Sequence, residues 1–245
     1  VESCKLHYIT SIFFELYSSY QIDIGGFKKM SNPNLTEQLE AATQQFKANA
    51  PIEAQAKIGQ MIEELQKSGI ASGKQPGEKA VDFQLTNALG RDVILYEELA
   101  KGPVVLVFYR GGWCPFCNMQ LRAYQQILPE IQAIGAQLIA ISPQKPDNTL
   151  SLQEKEGLEF QVLSDPNGLV TAKYNLLFDV PPAVRELMEG SGVDLAEYNN
   201  TSKWILPVPA TFMIDENAII RSSYVNPNFM QRQSPEEILR ELKKL

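Results

Sequence analysis

The chain has 245 residues, 44% hydrophobic and 21% charged, which is ordinary globular composition for one large domain or for a domain with an appendage. A formal net charge of −7 without a basic tract argues against nucleic acid and anionic membrane surfaces as partners. Three cysteines are too few to staple a small scaffold, and the single histidine, His7, leaves histidine-based triads and metal clusters without their main actor.

Residues 1–29 read as an upstream extension that is either non-native or disordered. They carry an aromatic-rich patch from Ile12 to Tyr20, but Glu15 interrupts it well short of the ~20 apolar residues of a membrane span. No basic start, apolar core and small-residue cleavage site follow one another, so no signal peptide is read. Met30-Ser-Asn-Pro33 has the look of a natural beginning. Cys4-Lys-Leu-His7 has half-site metal spacing, but its partners would be Cys114 and Cys117, far along the chain, and no metal is expected.

Residues 30–73 form a helical segment in this reading. Leu35, Leu39, Ala42 and Phe46 make one stripe, and Ile58, Met61, Ile62 and Leu65 another, with Pro51 between them and Gly69 as a stop. Such a hairpin packs on the main domain or on a second subunit, which allows a homodimer. Residues 74–245 then read as a single domain. Val81–Leu85 alternates as a half-buried strand, a turn at Asn87–Gly90 leads into Val93–Leu95, and Val104–Phe108 is a buried strand. Leu121, Tyr124, Leu128, Ile131 and Ile134 fall on one helical face. Further strands are read at Gln137–Ile141 and Phe160–Leu163, with a helix over Asp147–Glu156 between them. A short helix starts at Pro181-Pro182. A hairpin of Ala210–Ile214 with Ile219–Val225 follows, then a helix opened by the capping box Ser234-Pro-Glu-Glu237. Strands alternating with helices predict an α/β sandwich with a mixed sheet.

The chemistry concentrates in Phe108-Tyr-Arg-Gly-Gly-Trp-Cys-Pro-Phe-Cys117, where strand turns into helix. Pro115 suits a first helical turn, so Cys114 sits at the positive end of a helix and Cys117 one turn inside. Cysteines in such motifs have pKa values of roughly 3.5–7.5 instead of about 8.5, and the spacing lets the two sulfurs close a disulfide. This reading gives Cys114, at the exposed helix end, the better-placed thiolate. A lone CxxC of this kind belongs in a reducing compartment, and the expected location is the cytoplasm.

From Pro76 onward the chain resembles the thioredoxin-fold redoxins, in particular the peroxiredoxin-like alkyl hydroperoxide reductase/thiol-specific antioxidant group. The resemblance rests on Pro76-Gly-Glu-Lys-Ala-Val-Asp-Phe83, the Trp113-Cys-Pro-Phe-Cys117 motif, Ser164-Asp-Pro-Asn-Gly168 and Leu206-Pro-Val-Pro-Ala-Thr-Phe-Met-Ile-Asp215. It implies a thioredoxin-like sandwich around a central mixed sheet, with the N-terminal helices as an extension. It also implies no cofactor, a hydroperoxide or disulfide substrate, and a thioredoxin-type electron donor.

The departures from the family are specific. Its Pro-x-x-x-Thr-x-x-Cys pattern, laid on this chain, puts the peroxide-attacking cysteine on Cys117, the threonine position on Cys114 and the proline position on Arg110. The family's arginine before Ala-Thr-Phe is Pro209 here, at the position of the thioredoxin cis-proline, next to Thr211. Two enzymatic readings follow. One is a thiol peroxidase using Cys114 and Cys117. The other is a thiol–disulfide oxidoreductase with Cys114 as nucleophile and Cys117 as resolving thiol. Arg110, Trp113, Pro209 and Thr211 are the supporting candidates, and Arg185, Arg221 and Arg232 compete for the missing cationic role. A redoxin fold serving only as an interaction module is the non-catalytic alternative.

Overall fold

The computed structural model describes residues 33–245; the expected extension at 1–29, with Cys4 and His7, lies outside the described residues. Two helices come first, α1 (Leu35–Asn49) and α2 (Ile52–Ser68). A capping box opens α1: the Glu37 N–H donates to Asn34 Oδ1 and the Asn34 N–H to the Glu37 carboxylate, each at 3.0 Å. Gly69, with φ +69°, ends α2 in the left-handed conformation. Leu35, Leu39 and Ala42 of the first predicted stripe are buried, and so are Met61 and Leu65 of the second.

The main sheet has seven strands: β1 (Gln84–Asn87), β2 (Asp92–Ile94), β3 (Val104–Phe108), β4 (Gln137–Ser142), β5 (Gln161–Ser164), β8 (Ala210–Ile214) and β9 (Ile220–Val225). Their spatial order is β2-β1-β5-β4-β3-β8-β9, and β6 (Leu177–Asp179) pairs separately with β7 (Ile205–Pro207). The pairs β3–β4 and β4–β5 are parallel and the others antiparallel, so the sheet is mixed as expected.

All of β3 is buried, and its side chains alternate between two cores. Val105 and Val107 face a cluster with Leu39 and both motif cysteines, whereas Val104, Leu106 and Phe108 face Leu95, Tyr174 and Phe212. Helices α4 (Pro115–Gln126), α5 (Leu128–Ala133) and α10 (Pro235–Leu242) pack on the first face together with α1. Helices α3 (Leu95–Leu99) and α7 (Leu169–Lys173) contribute to the second. A third cluster joins α2 to α8 (Pro182–Gly190), α9 (Leu195–Asn199) and the small sheet through Met61, Leu65, Val184, Met188 and Leu206. Helix α6 (Pro146–Glu156) connects β4 to β5, one residue longer than read from the sequence.

Two local expectations fail for identifiable reasons. The single helical face through Ile134 is split into α4 and α5, because Pro129 at the start of α5 has no N–H to carry the α4 ladder onward. The strand read at Val81–Leu85 begins only at Gln84. Asp82 instead accepts the N–H groups of Phe83 and Tyr96 at 3.0 Å, and Tyr174 O–H donates to the Val81 carbonyl at 3.0 Å, so side chains take the place of a strand ladder here.

Candidate redox site

The carboxyl end of β3 delivers Tyr109 and Arg110 to a tight loop, Gly111-Gly112-Trp113, which opens α4 at Cys114. Gly111 has φ +143°, and a Cβ there would stand 2.5 Å from the Trp113 indole nitrogen, so only glycine lets Trp113 fold back over the loop. The Gly112 N–H donates to Gln144 Oε1 at 2.8 Å, and its carbonyl accepts from Asn118 Nδ2 at 2.9 Å. Gln144 is fully buried and donates in turn to Thr149 Oγ1 at 3.2 Å. This polar bracket fixes the loop between strand and helix.

Cys114 is the N-cap of α4, Pro115 follows in the first turn, and Cys117 lies one turn in, its N–H donating to the Cys114 carbonyl at 3.0 Å. Both sulfurs are free thiols and both residues are buried. That corrects the expected exposure of Cys114: α1 packs on α4 and covers the helix end. The sequence did not reveal this because nothing in it says where the N-terminal stripe docks.

The two thiols are electrostatically unlike. Burial pushes Cys114 well up, the Cys117 sulfur reinforces this, and Arg110 and Arg232 oppose it too weakly. For Cys117 burial also opposes ionisation. There, the hydrogen bond from Cys114, the Arg232 and Arg110 charges and the Arg110 backbone N–H together outweigh it and hold the thiol well below its usual range. The N-terminal dipole, typically 0.3–1 kcal/mol, does not offset desolvation at Cys114. The thiolate preference read from helix position is therefore reversed.

Arg232 is the residue that sequence reasoning could not select. It is buried, and its Nη2 donates to Cys117 Sγ at 3.3 Å. Nε donates to Gln120 Oε1 at 2.7 Å, and Nη1 to the carbonyls of Gln231, at 2.7 Å, and Phe229. Gln120 Nε2 donates to Tyr124 O–H at 3.1 Å, and that hydroxyl donates to the Gln233 carbonyl at 2.9 Å. Burial, against those hydrogen bonds, pushes Tyr124 up to about 12, so it stays a neutral donor. The guanidinium is thus held on the sulfur by a fixed chain of partners. The other two arginine candidates are spent locally: Arg185 pairs with Glu189 at 2.9 Å and lies over Trp204, and Arg221 pairs with Asp215 at 2.6 Å.

Arg110 is buried too, its guanidinium 4.0 Å from the Phe229 ring centroid and 4.8 Å from that of Trp113. Desolvation lowers its pKa and the nearby thiols raise it. Thr211 is buried opposite Val107 in β3 and reaches Tyr124 O–H at 3.5 Å, so it meets the far end of the Arg232 chain. Pro209 is buried at the entry to β8, but no cis peptide bond occurs among the described residues, which corrects the cis geometry that the resemblance implied. The trans form is the ordinary one, favoured by about 0.5–1 kcal/mol even for proline, and the Pro209 carbonyl here accepts from Asn226 N–H at 3.3 Å.

A cavity of about 290 Å³ opens onto this site, lined by Cys114, Arg110 and Trp113 on one side and by residues of α1, α2 and α8 on the other. Cys117 is not among its lining residues. No cluster of three or more His, Cys, Asp or Glu side chains suited to a metal occurs among the described residues. Nor is any described helix long and apolar enough to cross a membrane.

The AhpC/TSA family model matches residues 76–223, more than half of the chain. The chain belongs to the AhpC/TSA family. A Mycobacterium tuberculosis protein named "Putative peroxiredoxin" is 33% identical over 92 residues, 38% of this chain and 58% of that protein. The thiol–disulfide oxidoreductase ResA of Geobacillus thermodenitrificans is 25% identical over 146 residues, 59% of this chain and 66% of ResA. The chain thus spans less than two thirds of either relative's length. Among solved structures, peroxidoxin BcpB from Mycobacterium tuberculosis superposes with a TM-score of 0.55 at 19% identity, covering 70% of this chain and 97% of BcpB, which shows the shared redoxin fold.

Proposed function

We propose that this AhpC/TSA family member is a thiol-dependent peroxidase in which Cys117 attacks the hydroperoxide and Cys114 resolves the product. The observation that carries the reading is the Arg232 Nη2 donor 3.3 Å from Cys117 Sγ, in a site where hydrogen bonds and positive charge pull the Cys117 thiol down and burial pushes Cys114 up. The Cys117 thiolate attacks the O–O bond of ROOH, and with one proton the products are Cys117 sulfenic acid and ROH. The Cys114 thiol then displaces water from the sulfenic acid and the Cys114–Cys117 disulfide forms. A thioredoxin-type dithiol reduces that disulfide and is itself oxidised. Arg232 takes the cationic role that Pro209 leaves open, and Arg110, through its backbone N–H and its charge, supports the same thiolate. Trp113 packs on Arg110 and holds it in place. A reducing compartment such as the cytoplasm suits a pair that rests as free thiols.

A second reading retains one specific observation. Cys114, not Cys117, faces the cavity, as suits a disulfide oxidoreductase that attacks with Cys114. One experiment separates the two: Cys114→Ser and Cys117→Ser are each given one equivalent of hydroperoxide with a sulfenic-acid trap. The peroxidase reading expects rapid trapping at Cys117 in Cys114→Ser and little in Cys117→Ser. If neither variant is trapped and Cys117→Ser instead accumulates a mixed disulfide at Cys114 with a protein substrate, the oxidoreductase reading replaces it.

A further inference from the structure

Cys114 and Cys117 are both buried, yet a protein donor has to bring its own sulfur to their disulfide in order to reduce it. The chamber that ends on Cys114 measures about 290 Å³, room for a small molecule and not for part of a protein. What covers the motif is α1, whose Leu35, Leu39 and Ala42 share one cluster with Phe116, Met119 and both cysteines.

The α1–α2 pair is held down by apolar packing. Every hydrogen bond and ion pair that residues 34–71 make among the described residues stays within that segment. They run from the Asn34 cap, through Gln55 Nε2 on the Lys47 and Ala50 carbonyls, to the Glu63–Lys67 pair. Lys57 feels the Glu186 carboxylate of α8 only at the surface, where such an attraction is worth little. Helix α1 rests on a narrow stripe, because the chamber flanks it on one side and a polar groove of about 710 Å³, lined in part by Glu40, Lys47 and Gln231, on the other. The first hydrogen bonds to the core come at Ser72 and Gly73, both to Asn175. Gly69, Ala71 and Gly73 have φ of +69°, +56° and +74°, so three of the five linking residues are left-handed, one of them not a glycine.

Resting on the peroxidase reading, which supplies the Cys114–Cys117 disulfide, we propose that the α1–α2 pair is a hinged cover over the motif. It swings off α4 about residues 69–73, and only the open form admits the protein donor, whereas small oxidants and small thiols reach the closed form. Lifting the pair as a unit parts apolar contacts and, among the described residues, no hydrogen bond. In the open form a donor thiolate attacks Cys114 Sγ, the sulfur that faces the chamber. The Cys114–Cys117 bond breaks, and Cys117 leaves as the thiolate that Arg232 holds, which suits it as the leaving group. The donor's second thiol then attacks the donor sulfur of the mixed disulfide and gives its proton to Cys114. Two electrons have passed to the chain, and the donor leaves as a disulfide. Its apparent rate scales with the fraction of chains that are open.

The test starts from the full chain with its Cys114–Cys117 disulfide closed by diamide, so it depends on no hydroperoxide. Reduction is timed with thioredoxin, kept reduced by its reductase and NADPH, and separately with dithiothreitol, for the unmodified chain, Leu39→Ser and Leu65→Ser. These leucines seat α1 and α2 and do not line the chamber. Thioredoxin should reduce each variant at least about five-fold faster than the unmodified chain, and the dithiothreitol rate should change by less than about two-fold. Thioredoxin rates that are unchanged or slower in the variants overturn the cover, as does an equal gain with both reductants. Melting curves establish that the variants are folded. The unmodified reduced chain gives a measurement that needs no variant: a maleimide carrying a polyethylene glycol chain should modify Cys114 at least about ten-fold more slowly than N-ethylmaleimide. Equal rates for the two reagents overturn the cover. A chain that thioredoxin reduces in this pattern but that no hydroperoxide oxidises keeps the cover and loses the peroxidase reading.

Discussion

The span that matches the family and the segments on either side of it divide the site between them. Residues 76–223 supply the central sheet, the glycine loop, both sulfurs and Arg110. The flanking segments supply Arg232, which grips Cys117, Phe229, which stacks on Arg110, and the helices that bury Cys114 and wall the cavity. The shared core thus makes a pair of close thiols. From outside it, Arg232 adds to the ionisation of Cys117 that Cys114 and Arg110 begin within it, and α1 and α2 add to the wall that α8 forms from within. A fold fixes where a site stands more firmly than what the site does there.

The sharpest way to break this comparison is to remove the flanking cation. Arg232→Met loses the charge and the N–H on Cys117 while keeping much of the packed volume. A hydrogen bond to a charged group is worth about 1.5–3 kcal/mol, so the rate of Cys117 oxidation at pH 7 should fall about ten- to a hundred-fold. The thiolate absorbance titration near 240 nm should move to higher pH. Arg221→Met, whose partner is Asp215 on the surface, serves as comparison and should change neither. Equal behaviour of the two variants would return the ionising role to the family span.

The same comparison explains what the sequence disclosed and what it withheld. The strand Val104–Phe108, the start of α4 at Cys114-Pro115 and the Ser234 capping box are local patterns, and each forms where it was read. The break at Pro129 is equally local, but the apolar spacing continues across it and masks it. Arg232 is of another kind. It lies 115 residues from Cys117 and carries no periodic signal. Charge spacing does not single it out: Arg185 pairs with Glu189 four residues on, whereas Arg232 has Glu236 at the same spacing and turns to Cys117 and Gln120 instead. The burial of Cys114 has no local signal either, since it depends on where α1 docks.

A second effect, smaller than the first, lies in stability. Cys117 has a depressed folded-state pKa, so its contribution is fully present above the unfolded thiol value of about 8.5 and is lost as pH falls toward the folded value. Cys114, raised instead, stays neutral in both states below pH 8.5 and adds no slope there. The melting temperature of the reduced chain should therefore rise relative to that of Cys117→Ser as pH is taken from about 5 to about 8.5. Each kcal/mol corresponds to about 2–4 °C for a chain of this size. A difference that stays flat with pH would mean that Cys117 is not ionised in the folded protein.

The smallest effect is expected at Thr211, one of the supporting candidates read from the sequence. In this chain its hydroxyl meets only Tyr124, at 3.5 Å, the outer limit of a hydrogen bond. Tyr124 is already held at 2.9 Å by the Gln233 carbonyl and at 3.1 Å by Gln120, so the chain that aims Arg232 is anchored without Thr211. Thr211→Val keeps the β-branched shape that suits the buried strand β8 and removes one weak partner. A typical intramolecular hydrogen bond contributes about 0.5–1.5 kcal/mol, and this one should sit at or below the low end. Melting should shift by at most about 2–4 °C and the Cys117 titration should not move. Oxidation with cumene hydroperoxide should stay within about two-fold of the unmodified chain. A loss comparable to that of Arg232→Met would give Thr211 a part at the sulfur itself. The family-matched core would then carry more of the chemistry than the flanking segments.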